Sequence, residues 1–256
     1  MTVVKSLHVL FLGQDDNIPK WRLAYGAPEG KLVSSSFLSF LIRTDDKNIL
    51  FDAGMHYDLA SHMKAQGRTI HVRKEDCLPA RLKEVAGLSM SDIDMVILSH
   101  VHRDHTGWLG DFPKAEVIVQ KDDYSVTITE PAPYFSPIHP LKKYSERDIQ
   151  WKLVIGDQVI MPGLTVLLTP GHTRGHQVLM VDLPKSGPII LAGDAVLDLE
   201  CLEKEIIPGV YDSREDALKS LRKIKVMAQL RNAKVFPSHD IGCYLKQMKK
   251  PPEAYT

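Results

Sequence analysis

Two periods of apolar residues run along this chain. Leu7 to Leu12 (LHVLFL) is a short apolar run closed by Gly13 and predicts a strand. Phe37 to Ile42 and Asn48 to Phe51 flank Asp45-Asp46-Lys47 and predict a hairpin. Between these runs, Gln14 to Lys31 is polar, carries Trp21 and Tyr25, and reads as a long loop. Leu59 and Met63, four apart, predict a short helix ended by Gly67. Leu78, Leu82, Val85 and Ala86 mark one face of a second helix, with Gly87 in the place of a C-terminal cap. Met95 to Leu98 is apolar without interruption, as in a strand buried on both faces.

Further strands are expected at Glu116–Val119, Lys152–Ile155, Gln158–Ile160, Leu164–Leu168, Gln177–Val181, Pro188–Ala192 and Lys234–Phe236. Ala217, Leu221, Ile224 and Ala228 define a helix face, and Ser213 with Asp216 resembles a capping box at its start. Residues from about 122 to 149 are rich in Tyr and Pro, lack a period, and read as an irregular insertion. No repeat, low-complexity run or linker interrupts the pattern. One domain over residues 1–256 is therefore expected, with strands and helices layered in an α/β or α+β architecture.

Composition narrows the partners. The chain is 44% hydrophobic and carries 32 basic against 32 acidic residues, so its formal net charge is zero. That balance disfavours nucleic acid, whose binders are usually basic. No stretch reaches the ~20 apolar residues that span a bilayer, and no leader pattern opens the chain, so a cytoplasmic protein without membrane contact is expected. Cys77, Cys201 and Cys243 are odd in number and far apart, which argues against a disulfide framework or a thiolate metal site.

The chemistry concentrates in Ser99-His100-Val101-His102-Arg103-Asp104-His105, directly after the buried strand. In an extended segment, residues two apart point the same way, so His100 and His102 can converge on one ion. Asp104 and His105 follow a turn and can serve a second ion beside the first. Without a cation, repulsion and desolvation would make this cluster unfavourable. His172 (Thr-Pro-Gly-His), Asp194 (Ala-Gly-Asp) and His239 (Pro-Ser-His) each follow a short apolar strand and a turn residue, repeating the same logic. Nitrogen and oxygen donors suit two divalent ions, zinc first, with iron, cobalt and manganese also compatible.

Phe51-Asp52-Ala53-Gly54, HxHxDH, Thr169-Pro170-Gly171-His172, Gly193-Asp194 and Ser238-His239, in this order, resemble the metallo-β-lactamase superfamily over nearly the whole chain. The resemblance implies a four-layer αββα sandwich with two metals at one edge of its sheets. It implies that His100, His102 and His172 bind one metal, that Asp104, His105 and His239 bind the other, and that Asp194 bridges them. Asp52 would support a ligand from behind. Within the superfamily the chain is most similar to N-acyl homoserine lactone lactonases. That similarity implies ring opening by a metal-bridging hydroxide, as in quorum quenching, with Asp104 shuttling a proton to the leaving alkoxide.

In such enzymes the first loop helps form an acyl-chain groove. Ile18, Trp21, Leu23 and Tyr25 could do so here, or the aromatic ones could pin the loop to the core. Two positions depart from the pattern. Leu197 stands where a tyrosine is common, and Arg103 where an aromatic residue often stands. Trp21, Arg103 and Leu197 are thus the candidate substrate contacts for a small lactone or ester, with Tyr211 or a tyrosine of the insertion as a substitute hydroxyl. A glyoxalase II-like thioesterase, or another esterase or lactonase, is the alternative on the same site. A binding module without turnover is a third reading.

Overall fold

A computed structural model describes residues 3–129 and 149–256 of the chain. Strands β1 (Val4–Pro19), β2 (Leu32–Thr44), β3 (Asn48–Phe51), β4 (Ile70–His71), β5 (Met95–Ile97), β6 (Glu116–Gln120) and β7 (Gln150–Val154) form one sheet in the order β4-β1-β2-β3-β5-β6-β7. Strands β8 (Gln158–Met161), β9 (Leu164–Leu168), β10 (Gln177–Leu183), β11 (Gly187–Leu191) and β12 (Lys234–Phe236) form the second, in the order β12-β11-β10-β9-β8.

Burial follows directly from the alternation of the strands. Leu7, Val9, Phe40, Ile42, Ile49, Phe51, Met95 and Ile97 share one core with Leu164, Val166, Leu179, Val181, Ile189 and Leu191 of the other sheet. The intervening residues Leu10, Leu41, Leu50, Val96, Val117 and Val119 face outward from the first sheet. They are covered by α2 (Tyr57–Ala65) and α3 (Leu78–Ala86) through Leu59, Met63, Leu78 and Leu82. Val178, Met180, Ile190 and Ala192 of the second sheet meet Leu221 and Ile224 of α6 (Arg214–Arg231) in the same way. The result is four layers, αββα. Each fully buried Leu, Ile or Phe contributes about 1.5–3 kcal/mol, so the two sheets form a stiff platform.

Chain direction then decides where the site lies. β3, β5 and β6 are mutually parallel, as are β11 and β12, and β9 is antiparallel to β10, which is antiparallel to β11. Hence β3, β5, β9, β11 and β12 deliver Asp52, His100, His172, Asp194 and His239 from their C-terminal ends to one edge.

Three expectations change. Gln14 to Lys31 is not all loop. β1 continues to Pro19, pairing Gln14 with Ser36 and Ile18 with Val33, and α1 (Lys20–Leu23) follows. Backbone pairing, with register shifts at Phe11/Gln14 and Asp15/Ile18, holds this polar strand without a hydrophobic period. The irregular stretch does not begin at 122, because α4 (Lys121–Thr129) is helical. Asp123 at its start is buried and hydrogen-bonded across the molecule. The remainder of that expected insertion lies outside the described residues. Two short helices that the apolar pattern does not predict, α5 (Leu199–Lys204) and α7 (Ile241–Gln247), are each capped by an aspartate, Asp198 and Asp240.

Candidate metal centre

Seven side chains meet at the shared strand edge in two groups of potential ligands. In the first, His100 Nε2 lies 2.9 Å from His102 Nδ1, which lies 3.0 Å from His172 Nε2. Asp194 Oδ2 lies 3.3 Å from His172 Nε2 and 3.9 Å from His100 Nε2. In the second, Asp194 Oδ1 lies 3.1 Å from His239 Nε2 and 3.2 Å from His105 Nε2. Asp104 Oδ2 lies 3.7 Å from His239 Nε2 and 4.0 Å from His105 Nε2. One carboxyl group, Asp194, therefore presents an oxygen to each half.

The local chain explains this convergence. After β5 the backbone turns, and His105 N and Thr106 N both donate to His102 O. His102 is thus left on one side of the turn, Asp104 and His105 on the other. Gly171, with φ +134°, brings the His172 loop against α6; a Cβ there would lie 2.1 Å from Ala217 N.

The rear nitrogens fix which ring atoms face inward. His172 Nδ1 lies 2.8 Å from Val210 O, and His239 Nδ1 lies 2.8 Å from Ser36 O. His105 Nδ1 lies 2.8 Å from Asp52 Oδ2. A carbonyl or carboxylate oxygen can only accept, so each Nδ1 carries the proton and each Nε2 turns a lone pair inward. Ser99 Oγ donates to Asp52 Oδ2, which leaves it to accept from His100 Nδ1 at 2.9 Å.

Electrostatics divide the halves. Burial first, and neighbouring imidazoles second, push His100 well below its usual range and His102 down to about 3. Burial likewise lowers His172. These rings are neutral donors. In the other half burial also opposes charge, but Asp194 outweighs it and raises His105 and His239. Burial would raise Asp194, yet His239 and His105 hold it well below the usual carboxylate range. That half demands positive charge. His105 Nε2 and Asp194 Oδ1 are buried and, although close, make no hydrogen bond of acceptable geometry. Neutral lone pairs in one half, and orphaned polar atoms calling for a cation in the other, fit a pair of divalent ions.

Two supporting residues were not anticipated. His176 is fully buried; its Nε2 accepts from Asp194 N–H at 3.0 Å, and its Nδ1 lies 2.9 Å from Thr169 Oγ1. It steadies the shared aspartate. Its only sequence signal was a second histidine shortly after Thr-Pro-Gly-His. Asp123 accepts from Val101 N–H, Thr173 Oγ and Gly175 N–H, tying the His100–His102 segment to the His172 segment.

A recess of about 370 Å³ opens over the centre. Arg103 and Leu197 line it, as do Ile18 and Leu23 of the expected acyl groove. Trp21 does not line it and is 42% exposed. On the single turn of α1, Arg22 and Leu23 reach the lining and Trp21 does not. Tyr25 also lies outside the lining, stacked edge-on against Tyr211 at 5.8 Å. No tyrosine lines the recess among the described residues, and Tyr211 packs against Tyr25.

Comparison with known proteins agrees with this geometry. The family described as the metallo-beta-lactamase superfamily matches residues 38–239, which include every one of the seven converging side chains. The chain belongs to the metallo-beta-lactamase superfamily. As in that fold, its His/Asp cluster is a dinuclear metal site. An N-acyl homoserine lactonase from a Bacillus species is 33% identical over 225 residues, 84% of this chain and 86% of its own length. N-acyl homoserine lactonase AttM of Rhizobium radiobacter is 35% identical over 176 residues, 66% of each chain. This chain therefore spans just under two thirds of that relative's length. Among solved structures, an N-acyl homoserine lactone hydrolase with N-hexanoyl-L-homoserine at its catalytic metal centre superposes with a TM-score of 0.87 at 27% identity. That superposition covers 98% of this chain and 99% of the other. No helix among the described residues of this superfamily member is long and apolar enough to cross a membrane.

Proposed function

We propose that this protein is a metal-dependent lactonase that opens N-acyl homoserine lactones, a quorum-quenching activity, and that residues 1–256 form one such hydrolase domain. The observation that carries the reading is the single carboxyl of Asp194 shared by two ligand sets, under a recess sized for a small molecule. His100, His102 and His172 would hold one divalent ion and Asp104, His105 and His239 the other, with Asp194 between them. Zinc suits these donors best. When bound, the ions supply an activated water and polarise the ester carbonyl.

The chain's own groups do the rest. Val210, Ser36, Ser99 and Asp52 lock the imidazole tautomers. Phe37, Met55 and Leu197 line the recess and limit water around the acyl group. Asp104, whose side chain is 23% exposed, is the ligand-set carboxylate with most access to the recess. It takes a proton from the attacking water and returns it to the ring oxygen as the C–O bond breaks, so the leaving group departs as an alcohol. The relatives named as N-acyl homoserine lactonases support this substrate class over thioesters.

The test is proton release by the metal-replete protein on N-acyl homoserine lactones of short and long acyl chains, with Asp194→Asn as control. Ring opening lost in the control is expected. Absence of opening at every chain length, with turnover of thioesters instead, would replace this reading with the thioesterase one.

A further inference from the structure

The recess carries more positive charge than a neutral lactone needs. Three arginines line it: Arg22, Arg68 and Arg103. Arg68 is paired with Asp15, a carboxyl buried in the extension of β1. Arg22 and Arg103 form no ion pair and no side-chain hydrogen bond among the described residues. The nearest specific contact of the Arg22 guanidinium is the ring of its neighbour Trp21, 5.9 Å from the centroid. Burial, and then the positive charge of Arg68, push Arg22 below the usual guanidinium range, with Arg103 adding to the effect.

The acidic residues of the lining do not answer this charge. They are Asp15, Asp104 and Asp194. Asp15 is taken by Arg68, and the other two belong to the ligand sets. Two divalent ions would more than neutralise those two carboxylates. The recess floor is then cationic, and two further guanidiniums line it with no ion pair among the described residues.

Their positions are constrained. Arg103 lies between His102 and Asp104, so ligands on both sides hold its backbone. Arg22 sits at the exposed rim on α1, which is seated by Gly209 N donating to Arg22 O. A planar guanidinium grips a carboxylate through two parallel hydrogen bonds, and such charge-assisted bonds strengthen away from bulk water. The remaining wall, including Ile18, Leu23, Phe37 and Val210, suits a compact apolar body.

We propose that the recess also takes lactones or esters that bear their own carboxylate, held by Arg22 and Arg103 while the ring ester lies over the metal centre. This rests on the lactonase reading and extends it from neutral rings to anionic ones. Hydrolysis adds water across the ring ester, giving a hydroxy dicarboxylate and one released proton; the second carboxylate is unchanged.

The experiment compares kcat/KM of the metal-loaded full chain on a γ-butyrolactone ring carboxylate and on its neutral methyl ester. A preference for the carboxylate of about tenfold or more is expected, shrinking at high salt. Arg103→Ala and Arg22→Ala should each abolish most of that preference, and Arg103→Lys should keep part of it. Calorimetric binding of the ring-opened hydroxy dicarboxylate should weaken in the same variants. Equal rates on acid and ester, or Arg103→Ala slowing both alike, would overturn the proposal while leaving the lactonase reading intact. Failure to open any lactone would defeat the lactonase reading; dicarboxylate binding that ignores both alanine variants would then defeat this one as well.

Discussion

Asp52 is the residue whose replacement most directly tests how the ligands are aimed. It is fully buried and receives three donors: Ser99 N–H at 2.7 Å, Ser99 Oγ at 2.9 Å and His105 Nδ1–H at 2.8 Å. Its backbone has φ +62°, a region that asparagine tolerates, so Asp52→Asn changes the chemistry without forcing the chain. The amide has one acceptor oxygen. Its NH2 must therefore face either the Ser99 N–H or the His105 Nδ1–H. Facing His105, it drives the ring to the opposite tautomer and places a proton on Nε2, where a metal would bind. A buried donor left unpaired costs about 1–3 kcal/mol, and losing a group that orients a ligand weakens metal binding by roughly 10–100-fold.

The assay is titration of the metal-free protein with zinc against a chromophoric chelator, resolving both sites. The His105 site should weaken by about 10–100-fold and the His100 site by no more than about threefold. Thermal midpoint should fall by about 2–4 °C per kcal/mol lost. Wild-type affinity at both sites would refute the tautomer argument. Equal loss at both would show that Asp52 serves the fold and not the aim of His105.

Two other outcomes follow from the packing and from one buried carboxyl. Gly107→Ala would place a Cβ 2.2 Å from His56 N and 2.5 Å from Gly54 O, backbone atoms that cannot give way. Urea unfolding should show a loss of about 1–3 kcal/mol or more, against a smaller cost for Gly242→Ala, whose Cβ meets only a side-chain oxygen, Asp240 Oδ1, at 3.2 Å; equal costs would discount the clash. Burial pushes Asp123 from 3.8 up to about 6, against the donors Thr173 and Gly175 that favour its charged form. A raised carboxyl takes up a proton on folding, so stability should be greatest below pH ~4 for this group and should fall by about 3 kcal/mol as pH rises to 6. In thermal melts of the metal-free protein across that window, the stability difference between the parent and Asp123→Asn should shift by that amount, against the background slope both share; parallel curves would contradict it.

Much of the fold was legible because it rests on local periodicity. Runs such as Met95–Leu98 and Val178–Val181 are apolar at every position because both sheet faces are covered. The Ser213 cap and the Gly87 end of α3 follow from backbone chemistry within a few residues. The polar half of β1 was invisible because its order comes from pairing with β2 and β4. α4 was hidden by its weak helix formers Val126, Thr127 and Ile128. Trp21 was expected near the recess from the resemblance to lactonases whose first loop forms an acyl groove, whereas Arg22 and Leu23 line it here.

The amino-acid order by itself determined the donor set: HxHxDH, and a histidine or aspartate after each of three later strands. Those identities are local, and no packing can change which donor atoms a side chain carries. Tertiary structure alone decided that backbone oxygens of Val210 and Ser36 aim His172 and His239, and that His176 and Asp123 stand behind the ligands. Those relations join residues up to 203 positions apart, as Ser36 and His239 are. They exist only once two sheets have stacked with five strand ends at one edge.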